Sequence, residues 1–227
     1  MITQIYNALS ARSDDEKKIV LPRFFKTGKG QYGEGDMFLG VTVPNIREVA
    51  KEFKDANRET IEKMIHSPWH EMRMCALLIL VNNSKKNVTK ESFDFYLSKT
   101  QHINNWDLVD LSAPQIVGRY LLDKNRDILY KLAESDLLWD NRIAIVSTLT
   151  FIRNNDLDDT YNLSLKMMLH KHDLMHKAIG WMLREAGKRD TERLYNFVME
   201  HKSVMPRTML RYSIEKFDKE TRQELMK

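Results

Sequence analysis

Asp110 stands where the chain elsewhere places bases. It lies in the stretch 104–118, which begins Asn104-Asn105-Trp106-Asp107-Leu108-Val109-Asp110, and Trp106 precedes it by four residues. On a helix that spacing puts an indole and a carboxylate on one face. When the similar segments of the chain are overlaid, the position of Asp110 is held by Arg47, Arg73, Arg142, His176 and Arg207. A carboxylate beside arginines has its charged form favoured. Asp110 therefore reads either as one half of a structural salt bridge to Arg142 or as an ionised group that stabilises developing positive charge and orients water. It does not read as a proton donor.

A second constellation lies further on. Lys177, Trp181, Arg184 and Lys188 make one helical stripe, while Ile179, Met182 and Leu183 serve the core. Cations beside an indole suit a nucleic acid, whose phosphates pair with the charges while the ring meets a sugar or base. Trp69 and Trp139, near helix starts, read as packing residues. His170, His172 and His176 lack a carboxylate set of recognised metal spacing, so no metal and no cofactor is expected. The run Gly28-Lys29-Gly30-Gln31-Tyr32-Gly33 fits a dinucleotide-binding pattern by letter only, because no strand precedes it. It reads as a connecting loop that offers Lys26, Lys29 and Tyr32 to a partner. Nucleotide-hydrolase, zinc-protease and serine-hydrolase motifs are absent from the sequence.

The elements that must carry these residues are helices. Only 8 glycines occur in 227 residues, and four of them crowd the 28–35 loop, so the rest of the chain lacks strand punctuation. Helical periodicity is legible in 60–65, 92–97, 128–132 and 194–199, and a second helix follows each. The polar position of the second helices recurs at 47, 73, 110, 142, 176 and 207, with Lys177 an alternative to His176. A repeat of roughly two short helices predicts a right-handed α-solenoid of about six helix pairs, forming a single domain over 1–227. Pro44, Pro206, Asp140 and Asp173 suit helix starts, and 219–226 reads as a terminal helix. If the second helices line the concave side, the groove is basic with Asp110 at its middle. Taken singly, the arginines of that row could instead cap helices or pair with acids such as Glu48 and Glu71.

Hydrophobic content of 42% excludes a disordered chain. Net charge is +4, and the pI near 9.0 leaves room for a basic face. The single cysteine, Cys75, sits in an apolar run, which fits a reducing compartment and offers no disulfide. The longest apolar run falls well short of a bilayer span, and no basic start leads into an apolar block. A soluble cytoplasmic protein without a membrane partner is expected.

The chain resembles the AlkD-type DNA alkylation repair family, HEAT-like helical-repeat DNA glycosylases. The resemblance rests on Asn105-Trp106-Asp107-Leu108-Val109-Asp110, Trp139-Asp140-Asn141-Arg142-Ile143-Ala144, the segment from His176 to Glu185, and Met205-Pro206-Arg207-Thr208-Met209-Leu210-Arg211-Tyr212. Phe24-Phe25-Lys26-Thr27-Gly28 and Phe38-Leu39-Gly40-Val41 add to it. It implies hydrolysis of the N-glycosidic bond of 3-methyladenine and 7-methylguanine in duplex DNA by a monofunctional, monomeric base-excision enzyme acting at the bacterial nucleoid. It further implies Asp110 as the catalytic aspartate, Trp106 and Trp181 as the aromatics flanking the lesion's deoxyribose, and Arg142 beside the aspartate. Arg47, Arg73, His176, Lys177, Arg184, Lys188, Arg207 and Arg211 would serve the DNA. One departure stands out: the family's N-terminal tyrosine corresponds to Phe24 or Phe25, without a hydroxyl. That change keeps in play a non-catalytic repeat protein that binds distorted or branched DNA, and the common use of helical-repeat arrays keeps a protein-binding adaptor as a third reading.

Overall fold

The computed structural model describes residues 1–227. It contains fourteen α-helices and no strand; the one β feature is an isolated bridge between Met37 and Trp69. The chain is thus all-α, in keeping with the α-solenoid class, and it divides into two compact units, Met1–Ile116 and Val117–Lys227. No helix is long and apolar enough to cross a membrane.

The first unit holds α1 (Ile2–Ser10), α2 (Asp15–Phe24), α3 (Val43–Glu52), α4 (Arg58–Ile65), α5 (His70–Asn83), α6 (Lys90–Leu97) and α7 (Trp106–Ala113). Its centre is α5, buried without interruption from His70 to Leu80. A helix apolar on every side must be enclosed, and α1, α3, α4 and α7 all pack against it. The flanking helices start at side-chain caps: Asn57 Oδ1 accepts from the Thr60 amide at 2.9 Å and Thr89 Oγ1 from the Ser92 amide at 3.2 Å.

The second unit holds α8 (Asp127–Ala133), α9 (Leu138–Arg153), α10 (Asp158–Lys166), α11 (Asp173–Gly187), α12 (Thr191–His201), α13 (Arg207–Ser213) and α14 (Lys219–Leu225). Here α9, α11 and α13 pack in succession, while α8 and α10 lean on α9, and α10 and α12 on α11. That is the two-layer order of stacked helix pairs. Close approach of α13 to α11 requires a glycine, because a Cβ on Gly180 would lie 2.7 Å from the Met209 carbonyl oxygen.

All six second helices expected from the repeat are present as α3, α5, α7, α9, α11 and α13, and the terminal helix is α14. The first helices seen by periodicity lie within α4, α6, α8 and α12. Periodicity does not reveal α10, whose buried face of Thr160, Tyr161, Leu163 and Ser164 is half polar. One boundary moves by a residue: Pro206 is the N-cap of α13 rather than part of its first turn, while Asp173 lies in the first turn of α11 behind the cap His172.

Candidate active site

Helix α7 is held from behind. Leu108, Val109, Ser112 and Ala113 are buried, and Ser112 Oγ donates to the Leu108 carbonyl while lying 2.9 Å from the Tyr96 hydroxyl of α6. At the other end the fully buried Asn105 caps the helix through its side-chain oxygen, 2.8 Å from the Trp106 amide. Trp106 and Asp110 are both half-buried and share the face that the 106–110 spacing dictates. Immediately beyond, Pro114 brings no N–H to the carbonyl four residues earlier, that of Asp110, and the chain continues as a π-helix, Pro114–Gly118.

What fixes the start of α7 is a buried charge cluster. His70, the first residue of α5 and 2% exposed, places Nε2 at 2.8 Å from Asp107 Oδ2 and Nδ1 at 3.4 Å from Asp36 Oδ2. Arg73 Nη2 pairs with Asp36 Oδ1 at 2.7 Å and Arg73 Nη1 donates to the Ser67 carbonyl at 2.8 Å. Asn104 Nδ2 donates to Asp36 Oδ1 at 3.0 Å. Burial works against charge on His70, but the Asp107 carboxylate and the hydrogen bonds to Asp107 and Asp36 outweigh it and raise its pKa to about 9. Burial likewise opposes charge on Asp36, yet the bond from His70, the Arg73 charge and the Asn104 amide hold its carboxyl below the ordinary range.

An aromatic stack joins this cluster to the indole. Phe25 stacks on Trp106 at 5.5 Å between ring centres and on Phe38 at 5.2 Å, and Phe38 stacks on His70 at 4.8 Å. Phe24 meets the Trp106 ring edge-on at 6.0 Å and is 58% exposed, whereas Phe25 is buried. The 26–42 loop is therefore no mere connector. Its Met37 amide bonds the Pro68 carbonyl, its Met37 carbonyl accepts from the His70 amide at 2.8 Å, and Glu71 accepts from the Leu39, Gly40 and Val41 amides. A Cβ on Gly33 would lie 2.4 Å from the Phe25 carbonyl oxygen, so the loop folds tightly over that residue.

The other residues singled out in the sequence divide sharply by burial. Arg47 on α3 and Arg207 and Arg211 on α13 are exposed; Arg207 donates to the Met226 carbonyl at 3.0 Å. Arg73 is a correction: at 4% exposure it is spent on Asp36 and Ser67 and offers no cation to DNA. Arg142 is 5% exposed, and its Nη1 donates to the Leu174 carbonyl at 2.7 Å, tying α9 to the start of α11. The row of polar positions is thus not one continuous basic surface, because a long cation on a second helix can turn into the packing instead of outward. His176 Nε2 hydrogen-bonds the His170 carbonyl, and His172 caps α11, so this histidine group organises a helix start.

Trp139 is buried, as a packing residue should be, while Trp69 caps α5 and meets the Tyr6 ring at 6.0 Å. Trp181 is half-buried. Of its neighbours, Lys177 pairs with Asp173 at 2.7 Å, Lys188 with Glu185 at 2.7 Å, and Arg184 with Glu215. Cys75 is fully buried and its thiol is pushed up to about 12 by burial, which removes it as a nucleophile. Sequence reasoning overlooked His70, Asp36 and Asp107. The available signal was the group of charged residues His70, Glu71 and Arg73 at the head of a segment otherwise apolar enough to be enclosed.

A family model described as DNA alkylation repair enzyme matches residues 5–217. No curated protein matches the chain. A solved structure described as a predicted DNA alkylation repair enzyme from Enterococcus faecalis superposes with a TM-score of 0.72 at 16% identity, covering 92% of this chain and 98% of that one. With the model matching nearly the whole length, the chain belongs to the DNA alkylation repair enzyme family.

Proposed function

We propose that the protein is a monofunctional DNA glycosylase that removes cationic alkylated purines, 3-methyladenine and 7-methylguanine, from double-stranded DNA, acting as a monomer without a cofactor. The observation that carries this reading is the shared face of Trp106 and Asp110 on a helix pinned from behind. Alkylation already places positive charge on the base, so no acid is needed to protonate the leaving group. The C1′–N bond breaks with its electron pair passing to the base, which departs neutral. Water adds to C1′ and releases a proton to solvent.

The sugar passes through an oxocarbenium-like state, and a fixed carboxylate such as Asp110 stabilises it while orienting the water. The Trp106 indole adds cation–π attraction. Trp181 is assigned a second sugar-facing contact, and Arg47, Lys177, Arg184, Lys188, Arg207 and Arg211 are assigned to phosphates. The carboxylate partners of Lys177, Arg184 and Lys188 do not oppose this, since solvent-facing ion pairs contribute little and exchange readily. Incubation with duplexes carrying 7-methylguanine or 3-methyladenine tests the proposal: wild type should release free base and Asp110→Asn should not. Absence of release from both duplexes, with salt-sensitive binding retained, would transfer the reading to a non-catalytic DNA-binding protein.

A further inference from the structure

The buried cluster at the start of α7 fixes the one helix that carries both Trp106 and Asp110. His70 faces Asp36 from the 26–42 loop and Asp107 from α7, with the Arg73 charge of its own helix nearby; Asn104 completes the ring around Asp36. The His70 ring centre lies 4.8 Å from that of Phe38 and 4.9 Å from that of Phe25, and Phe25 in turn stacks on Trp106. One imidazole therefore reaches α7 twice, by an ion pair to its first turn and by a ring stack to its indole.

We infer that His70 is a positioning residue: held as an imidazolium between Asp36 and Asp107, it latches the 26–42 loop and α5 to the start of α7 and so sets where Trp106 and Asp110 present themselves. A neutral imidazole can donate to only one of the two carboxylates, whereas the imidazolium donates to both. Loss of the proton would release one strap and leave a buried carboxylate without its donor. The inference deepens the glycosylase reading and, in its effect on rate, rests on it.

The test uses the full chain labelled with 5-fluorotryptophan, its Trp106 resonance assigned through Trp106→Phe, together with single-turnover base release from a 7-methylguanine duplex and affinity for undamaged duplex. In wild type the Trp106 resonance should titrate with a midpoint near 9, while in His70→Gln it should be displaced and no longer titrate, with the Trp139 and Trp181 resonances unmoved. The release rate of His70→Gln at neutral pH should fall by about a hundredfold, the scale of misplacing a reacting group by roughly 1 Å, with affinity for undamaged DNA unchanged. Asp107→Asn, which keeps the shape and removes the charge, should lower the titration midpoint and the rate together, and it decides the matter if His70→Gln does not fold. A Trp106 resonance indifferent to both substitutions, or a release rate unchanged by them, overturns the latch. A wild type that releases no base overturns the glycosylase reading alone, because the fluorine titration still reports on the latch.

Discussion

Asp107 Oδ2 lies 2.8 Å from His70 Nε2, joining the first turn of α7 to the first residue of α5. Both ends of that bond are buried or nearly so, with side-chain exposures of 13% and 2%. The pairing therefore acts in a medium where charge interactions are strong and unpaired groups are costly.

Stability should respond to alkaline pH through this bond. His70 has a folded-state pKa raised to about 9 against an ordinary 6.5, so its contribution is complete below about 6.5 and is lost progressively as pH rises through about 9. Thermal unfolding of wild type should show a falling melting temperature across that window, and His70→Gln should flatten the fall. Asp36, held below its ordinary range, acts in the opposite sense: its contribution is present above the unfolded value and is lost as pH falls through the folded one.

Asp110→Asn should leave the fold and DNA affinity in place while lowering single-turnover base release by roughly a hundredfold or more, the scale of losing one preorganised electrostatic group at a reacting centre. Equal rates for the two proteins would remove Asp110 from the chemistry.

Arg73 and Arg47 should separate cleanly. Arg73→Met leaves the buried Asp36 with only His70 and Asn104 as partners and should cost up to about 3–5 kcal/mol in denaturant unfolding. Arg47→Ala, on an exposed α3 position, should leave stability nearly unchanged and reduce the slope of log affinity against log salt by about 1. If Arg73→Met leaves the unfolding midpoint where it was, the buried-pair account of Arg73 fails.

Gly118→Ala probes the π-helix that follows the site helix. A Cβ there would lie 2.4 Å from the Ser147 carbonyl oxygen and 2.7 Å from Thr150 Oγ1, and relief requires backbone movement. Overpacking of this kind costs about 1–3 kcal/mol, measurable as a shift in the urea midpoint at constant slope. A neutral result would mean that α9 yields at Ser147.

The sequence by itself determined the helical repeat, because apolar periodicity and sparse glycine leave few other ways to bury this chain. It also determined the pairing of Trp106 with Asp110, since four residues on a helix is a local relation that needs no partner. Tertiary structure alone decided which charges face water. Arg47 and Arg73 occupy the same repeat position, yet one is exposed and the other is locked onto Asp36, which approaches from a loop 37 positions earlier in the chain. The role of the glycine-rich loop was hidden for the same reason: its link to α7 runs through His70 and Phe25, contacts between residues far apart in sequence that no local spacing records. Whether a cation binds a phosphate or a buried carboxylate depends on what the fold brings beside it, and that is a property of packing rather than of pattern.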